Sequence, residues 1–251
     1  MMKNIKIFMV SIFILLTAAN VKAQQSLKLA CDEWAPYQIV ENNEVSGFST
    51  EIVRAVLKNM GISVSSVKAY PWERALMMIK KGYADALFSA NFSEERSAFA
   101  YYPKEAIIES PWVMWIREKS GLKFDSYNDL KGKKIGLVRG YSYTPEFWAF
   151  IKNNKDAEEV TDDETNFRKL NAGRIDYAAA ELGNGYYLIQ KMKLTGIAPL
   201  KENPIKSDGL YIIFSKNNVS KDFVEKFSEE LKTFKKSDAY QKLYHQYVIT
   251  K

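Results

Sequence analysis

Apolar residues recur along this chain with two alternating periods, one suited to strands and one to helices. Leu27-Lys28-Leu29-Ala30 alternates as a short strand, and Glu33-Trp34-Ala35-Pro36-Tyr37 breaks it into a loop. Gly47-Phe48 precedes a helix opening at Ser49 or Thr50. Ile52, Val53, Val56, Leu57 and Met60 fall on one face of that helix, and Gly61 stops it. Val64 to Val67 reads as a second strand. Trp72 to Lys81 reads as an amphipathic helix carrying Ala75, Leu76 and Ile79, and Ala84 to Ser89 as a third strand. Strand–helix–strand–helix–strand is the order of a parallel sheet covered by helices, which places the chain in the α/β class.

The pattern then restarts. Leu130 to Lys134 leads into a strand over Ile135 to Arg139, and Gly140-Tyr141-Ser142 turns into a helix around Pro145 to Ile151. A helix from about Asp163 to Asn171 stops at Gly173, a strand follows over Ile175 to Ala180, and another helix runs from after Asn184 to Met192. Leu210 to Ser215 is a further strand. Two C-terminal helices follow, the first with Phe223, Phe227, Leu231 and Phe234 on its core stripe, the second with Tyr240, Leu243, Tyr244 and Tyr247. Two α/β units of about 90 residues each predict two lobes with a cleft between them. Open α/β sheets bind ligands beyond the carboxyl ends of their strands. The loops 31–37, 89–96, 140–143 and 181–184 are therefore expected at one crevice.

The N-terminus changes the picture of where this fold works. Lys3 and Lys6 precede an almost wholly apolar run from Ile7 to Leu16, and Ala18, Ala19 and Val21-Lys22-Ala23 supply small residues after it. That is the three-part plan of a secretory signal peptide over residues 1–23, cleaved after Ala23. The alternative, a retained anchor, has an apolar run short of the roughly 20 residues that span a bilayer. Loss of the leader takes Lys3, Lys6 and Lys22 and no acid, so the formal charge falls from +6 to +3. There is no block of consecutive Lys and Arg to track a phosphate backbone, so nucleic acid is not an expected partner. One cysteine, Cys31, excludes an internal disulfide, and 47% apolar residues supply the core instead. Cys31 reads as a buried strand-end thiol rather than a reactive one.

Several short stretches, in this order and with these gaps, resemble the family 3 extracellular solute-binding proteins, the periplasmic receptors of amino-acid ABC importers. They are Trp34-Ala35-Pro36-Tyr37, Gly47-Phe48, Gly82-Tyr83-Ala84-Asp85-Ala86, Phe92-Ser93-Glu94-Glu95-Arg96, Leu130 to Gly136, Ala172-Gly173-Arg174-Ile175-Asp176 and Tyr240 to Tyr244. The resemblance covers essentially the whole chain after the leader. It implies two lobes, each a mostly parallel sheet flanked by helices, with two crossovers between them. Lobe 1 would comprise residues 24–114 and 204–251, and lobe 2 residues 115–203. It further implies a periplasmic monomer that closes on a small polar ligand, an amino acid or derivative, and delivers it to a membrane ABC permease.

The resemblance also assigns candidate ligand-binding residues. Arg96 ends the Ser-x-x-Arg stretch whose arginine grips the ligand's α-carboxylate in the family. A guanidinium suits that task, since its planar fork makes two parallel charge-assisted bonds. On its own, an arginine on a polar turn is ordinarily a surface residue. Glu181, at the end of a lobe 2 strand, stands where the family usually has an aspartate that receives the ligand's ammonium; a solvated strand-end acid is the other reading. Trp34 and Trp72 align with aromatic positions flanking the ligand side chain, against the alternative of ordinary core packing. Ser89 and Asn91 close the third strand and are expected to hydrogen-bond the ligand. Ser142, after Gly140 at a predicted helix start, would cap an anion or simply the helix. Tyr141 and Tyr143, bulkier than usual there, would narrow the pocket. Family members that take cationic side chains often have acids at the positions of Cys31 and Ser49, so lysine and arginine are weaker ligand candidates.

Two other function classes remain open to the same fold. A ligand sensor signalling to a separate membrane receptor needs the same pocket. An enzyme is the more distant class: His245 is the only histidine and lies in the last helix, which leaves no His-based triad in the cleft and no His-rich metal site. No glycine-rich phosphate loop is present, and no cofactor or metal is expected. Only carboxylate chemistry, from Glu33, Glu73 or Glu181, is left to an enzyme.

Overall fold

The computed structural model describes residues 26–248, so the leader expected over residues 1–23 lies outside it. In chain order the elements are β1 (Ser26–Cys31), β2 (Ile39–Glu41), β3 (Glu44–Ser46), α1 (Phe48–Asn59), β4 (Ser63–Ala69), α2 (Trp72–Lys80), β5 (Ala86–Ala90), the single turn α3 (Glu94–Ser97) and β6 (Ala100–Tyr101). Then come β7 (Ile108–Arg117), β8 (Ile135–Val138), α4 (Pro145–Lys152), β9 (Ala157–Val160), α5 (Asp163–Asn171), β10 (Tyr177–Glu181), α6 (Leu182–Lys191), β11 (Ile197–Leu200), β12 (Lys206–Ser215), α7 (Lys221–Phe234) and α8 (Asp238–Tyr247). No helix among the described residues is long and apolar enough to cross a membrane.

The strands form two groups. In the first, β1 pairs in parallel with β4 and β5; in the second, β8 pairs in parallel with β9 and β10. These are the strand–helix–strand units read from the sequence. What joins them is antiparallel: β12 pairs with β5 through residues 211–214 and with β7 through residues 206–210, and β7 pairs with β10 and β11. The fold is thus two α/β lobes sharing a ribbon of two long strands. Periodicity did not reveal β7, because Ser110-Pro111 interrupts Ile108 to Arg117 and the strand is buried on both faces from Trp112 to Ile116. It also missed the short strands β2, β3, β6, β9 and β11.

Helices α1 and α7 are placed by the stripes the sequence predicts. Ile52, Val53, Val56 and Leu57 of α1 are fully buried, as are Phe227 and Leu231 of α7. Phe48 and Tyr240 meet edge to face at 5.5 Å, which ties α1 to α8. The Gly47-Phe48 pair has a clear physical cause. Gly47 holds φ 105°, and a Cβ there would come within 2.7 Å of the Tyr37 carbonyl oxygen. The next two amides, of Phe48 and Ser49, donate to the Pro36 and Tyr37 carbonyls at 2.9 and 3.1 Å. The start of α1 is therefore sutured to the 34–38 loop, which fixes that loop at the cleft.

In the second lobe, Gly185 lies inside α6 with the Trp115 ring directly over it; an added Cβ would stand 2.1 Å from Cζ2 of that fully buried ring. Alanine would gain up to about 1 kcal/mol in helix propensity. The clash opposes this, and overpacking of a fixed core costs about 1–3 kcal/mol. Gly185→Ala is expected to lower the thermal unfolding midpoint by a few degrees, measured by far-UV circular dichroism; a rise would mean that the ring yields.

Candidate functional site

The lobes touch along the carboxyl ends of β1, β5, β8 and β10, and polar groups from one lobe find partners on the other. Trp34 Nε1 donates to Asp163 Oδ2 at 3.0 Å, and Asn184 Nδ2 to the Ala35 carbonyl at 2.6 Å. The Gly140 carbonyl accepts from both Arg96 Nη2 at 3.0 Å and Trp72 Nε1 at 3.1 Å. Ser142 Oγ donates to the Phe92 carbonyl at 3.2 Å. Gly140 is at φ 74°, so its carbonyl is turned out of the β8–α4 loop towards the first lobe.

Between these contacts lies a cavity of about 20 Å³ bounded by Asp32, Trp34, Trp72, Ser89, Asn91, Arg96, Trp112, Tyr141 and Ser142. That is room for a water rather than an amino acid. A larger cleft of about 600 Å³ lies beside it, lined by Asp32, Trp34, Trp72 and Tyr141 in common and by Tyr70, Asp162, Asp163, Glu164, Arg168 and Lys191. Tyr141 fills the junction: its ring stands edge-on to Trp112 at 5.4 Å, to Trp34 at 6.2 Å and to Trp72 at 6.3 Å.

All the candidate residues read from the sequence except Glu181 and Tyr143 line the small cavity. Arg96 is buried, with its guanidinium 5.0 Å from the centre of the Trp72 ring and Nη1 donating to the Asn91 carbonyl at 3.1 Å. Burial lowers its pKa, and Tyr102, followed by the charges of Glu95 and Asp32, pulls it back up. Ser89 sits at φ 64°, a strained setting for a residue with a side chain. Its hydroxyl donates to Ser49 Oγ at 2.9 Å and accepts from Gln38 Nε2, so it is already engaged inside its own lobe. Asn91 Nδ2 donates to the Gly209 carbonyl at 3.0 Å.

Ser142 departs from the expected helix start. The N-cap of α4 is Thr144, whose hydroxyl accepts from the Phe147 amide, with Pro145 in the first helical position. Ser142 therefore serves the contact between lobes instead. Tyr143 turns away from the small cavity: its hydroxyl accepts from the Val138 amide and donates to the Ala179 carbonyl, each at 3.2 Å.

Glu181 is held elsewhere. It caps α6, with Oε2 accepting from the Asn184 amide at 2.7 Å and Oε1 accepting from the Tyr37 hydroxyl at 3.0 Å. Burial raises its pKa, and the hydrogen bonds from the Asn184 amide and Tyr37 counter that rise. Its extra methylene, relative to aspartate, takes the carboxylate to Tyr37 of the first lobe, making it a fastening between lobes.

Three residues of the site escaped sequence reading. Trp112 stacks on Trp34 at 5.8 Å, and it was hidden in the unrecognised β7. Asp32 follows the first predicted strand and Asp163 opens a predicted helix, and neither carries a motif that marks it. Both are in fact buried where the lobes meet, and an oxygen of each, Oδ1, has no hydrogen-bond partner. Burial pushes each carboxyl up to about 7. For Asp32 its own backbone amide and Arg96 oppose the rise; for Asp163 the donors Trp34 and Tyr141 oppose it while Asp32 adds to it. The signal available in the sequence was the run Asp162-Asp163-Glu164 at the start of a predicted helix.

Two α/β lobes that close over buried charges and aromatic rings define a ligand-binding protein of the two-lobed type. The chain belongs to the bacterial extracellular solute-binding proteins, family 3, whose profile matches residues 27–250. Among curated proteins, the L-cystine-binding protein TcyJ of Escherichia coli (strain K12) is 26% identical over 140 residues, covering 54% of this chain and 50% of that one. The matched region thus spans about half the length of that relative. A probable histidine-binding protein of Campylobacter jejuni is 22% identical over 218 residues, 86% of this chain and 82% of that one. Among solved structures, a histidine kinase sensor domain with similarity to periplasmic binding proteins superposes with TM-score 0.78 at 22% identity, covering 90% of this chain and 97% of that one. An ancestral arginine-binding protein bound to arginine gives 0.77 at 19% identity, covering 89% and 98%. These likenesses establish the two-lobed fold.

The raised carboxyl pKa values carry a pH dependence with a definite sign. Folded, Asp32 and Asp163 hold protons up to about pH 7; unfolded, they release them near the ordinary value of 3.8. The native state therefore binds more protons between these limits, and the contribution of these groups to stability falls as pH rises from about 4 to 7. Asp163→Asn is expected to gain stability over the parent protein on going from pH 5 to pH 8, by on the order of 1–2 kcal/mol. Urea unfolding at the two pH values measures this; a difference that is flat or shrinks with pH would refute it.

Proposed function

We propose that this chain is an exported receptor that captures an amino acid or a close derivative by lobe closure and hands it to a membrane ABC permease. In this reading residues 1–23 direct export and are removed, the protein works in the periplasm as a monomer, and residues 24–114 with 204–251 form one lobe and 115–203 the other. Family membership supports solute capture, and the curated relatives that match are named for binding L-cystine, histidine and amino acids. The observation that carries the reading is Arg96. A buried guanidinium lines the cavity between the lobes, donating to the Asn91 and Gly140 carbonyls, and among the described residues no carboxylate lies within ion-pair distance of it. A buried cation gains most from a partner of opposite charge, and a planar carboxylate matches its fork.

Closure then follows from the chemistry. The carboxylate of a ligand would take over the N–H groups that now reach Gly140, and Trp34, Trp72 and Trp112 would enclose its side chain. Because the lobes meet so tightly around Tyr141, the ligand must be admitted in a more open arrangement, and its binding draws the lobes back together.

The test is thermal unfolding of the refolded, ligand-stripped protein with each common amino acid, small organic acids, polyamines and short peptides. A ligand present at 100 times its Kd adds about 2.7 kcal/mol, a shift of several degrees. The expected result is a shift with one or more amino acids that is abolished by Arg96→Ala and weakened about tenfold in affinity by Arg96→Lys, which keeps the charge but loses the fork. Shifts confined to solutes without a carboxylate would overturn the assignment.

A further inference from the structure

The proposed ligand's carboxylate has a partner in Arg96, but its cationic group has none at Glu181, whose two oxygens are occupied by Tyr37 and the Asn184 amide. We propose that Asp32 and Asp163, brought together from opposite lobes by closure, are the acceptor for the cationic group of the captured solute. The inference rests on the amino-acid reading given above and names the subsite that would recognise the amine.

Four observations converge on this pair. Asp32 is 7% exposed and Asp163 4%, so both carboxylates are removed from water. Each keeps one oxygen, Oδ1, without a hydrogen-bond partner, although buried acceptors are ordinarily satisfied. Both line the interlobe cleft, and Asp32 also lines the small cavity beside Arg96. No cation lies within ion-pair distance of either among the described residues, and the charge of Arg96 acts on Asp32 only from farther off. An ammonium has three N–H donors and matches two carboxylate oxygens offered from opposite sides. With Arg96 in the small cavity and the pair in the cleft that adjoins it, the crevice would favour a molecule carrying both a carboxylate and a cation.

The arrangement also couples recognition to motion. Asp163 Oδ2 is fixed by Trp34 Nε1 of the other lobe and by the Tyr141 hydroxyl at 3.3 Å, so its orientation depends on the lobes being together. Separated lobes would leave the two carboxylates in water, where an ammonium gains little from them. Closed lobes leave them dry, where the charged form of an unmatched pair is costly and a cation between them favours that form and is strongly held. A cationic group is therefore bound chiefly by the closed form, which is the condition for a ligand to shift the equilibrium towards it.

The experiment compares affinities by isothermal calorimetry for three probes on the same carbon skeleton: an amino acid that shifts the melting midpoint, its 2-hydroxy acid, and its decarboxylated amine. The proteins are the parent chain, Asp32→Asn, Asp163→Asn and Glu181→Gln. Asparagine keeps an oxygen to accept from Trp34 and Tyr141, and ligand-free melting curves check folding; Asp163→Ser replaces any asparagine variant that fails to fold. The expected result is that each aspartate variant loses about tenfold or more for the amino acid but not for the hydroxy acid. Aspartate variants that bind the amino acid as the parent does, or loss of amine discrimination in Glu181→Gln alone, would overturn the inference and leave the receptor reading intact. Binding of the amine but of no amino acid, lost in the aspartate variants, would keep the cation subsite and overturn the amino-acid reading. A parent protein that binds none of the amines or amino acids would overturn both.

Discussion

The pairing of β7 with β12 is the constraint on which the rest of this molecule depends. The chain leaves the first lobe along β7 and returns along β12, and the two strands lie side by side and antiparallel. A two-strand ribbon can bend and twist as a unit while keeping its own hydrogen bonds. The lobes are therefore tethered at one edge and free to separate at the other. Every functional contact then has to be made by loops at the carboxyl ends of the strands, which meet only when the ribbon brings them together.

Those contacts show a division of labour among polar groups. Tyr37 with Glu181, and Asn184 with the Ala35 carbonyl, are satisfied pairs and act as fastenings. Arg96 and Trp72 share the Gly140 carbonyl, a neutral acceptor that a carboxylate can displace. Asp32 and Asp163 retain oxygens without partners. The junction thus contains groups already content, groups open to a better offer, and groups that lack one. Under the proposed function, only the last two kinds would respond to a solute.

Much of this was legible in the sequence where a local rule governs. The helix over Asp163–Asn171 was placed residue for residue, because an acidic cap, an apolar period and a terminal glycine all agree there. The Trp34 loop, Ser89, Asn91 and Arg96 reach one cavity because strand ends in α/β units converge. The reading weakened where long-range geometry decides. Ser142 and Thr144 are both good caps, and only the path of the chain selects Thr144. Glu181 carries the charge appropriate to a ligand contact, yet its reach depends on one methylene and on a tyrosine 144 positions away in sequence. The buried state of Asp32 and Asp163 is a product of closure itself, which no periodicity encodes.

The aromatic junction has an optical consequence. Of the five tryptophans, Trp34, Trp72 and Trp112 stand where the lobes meet, and each touches Tyr141. Trp34 and Trp72 also spend their indole N–H groups on acceptors from the opposite lobe. Separating the lobes exposes these rings and changes their polarity at one stroke, whereas Trp115 stays sealed in its own core. The colour and intensity of the protein's own emission therefore register the angle between its lobes, with no attached dye.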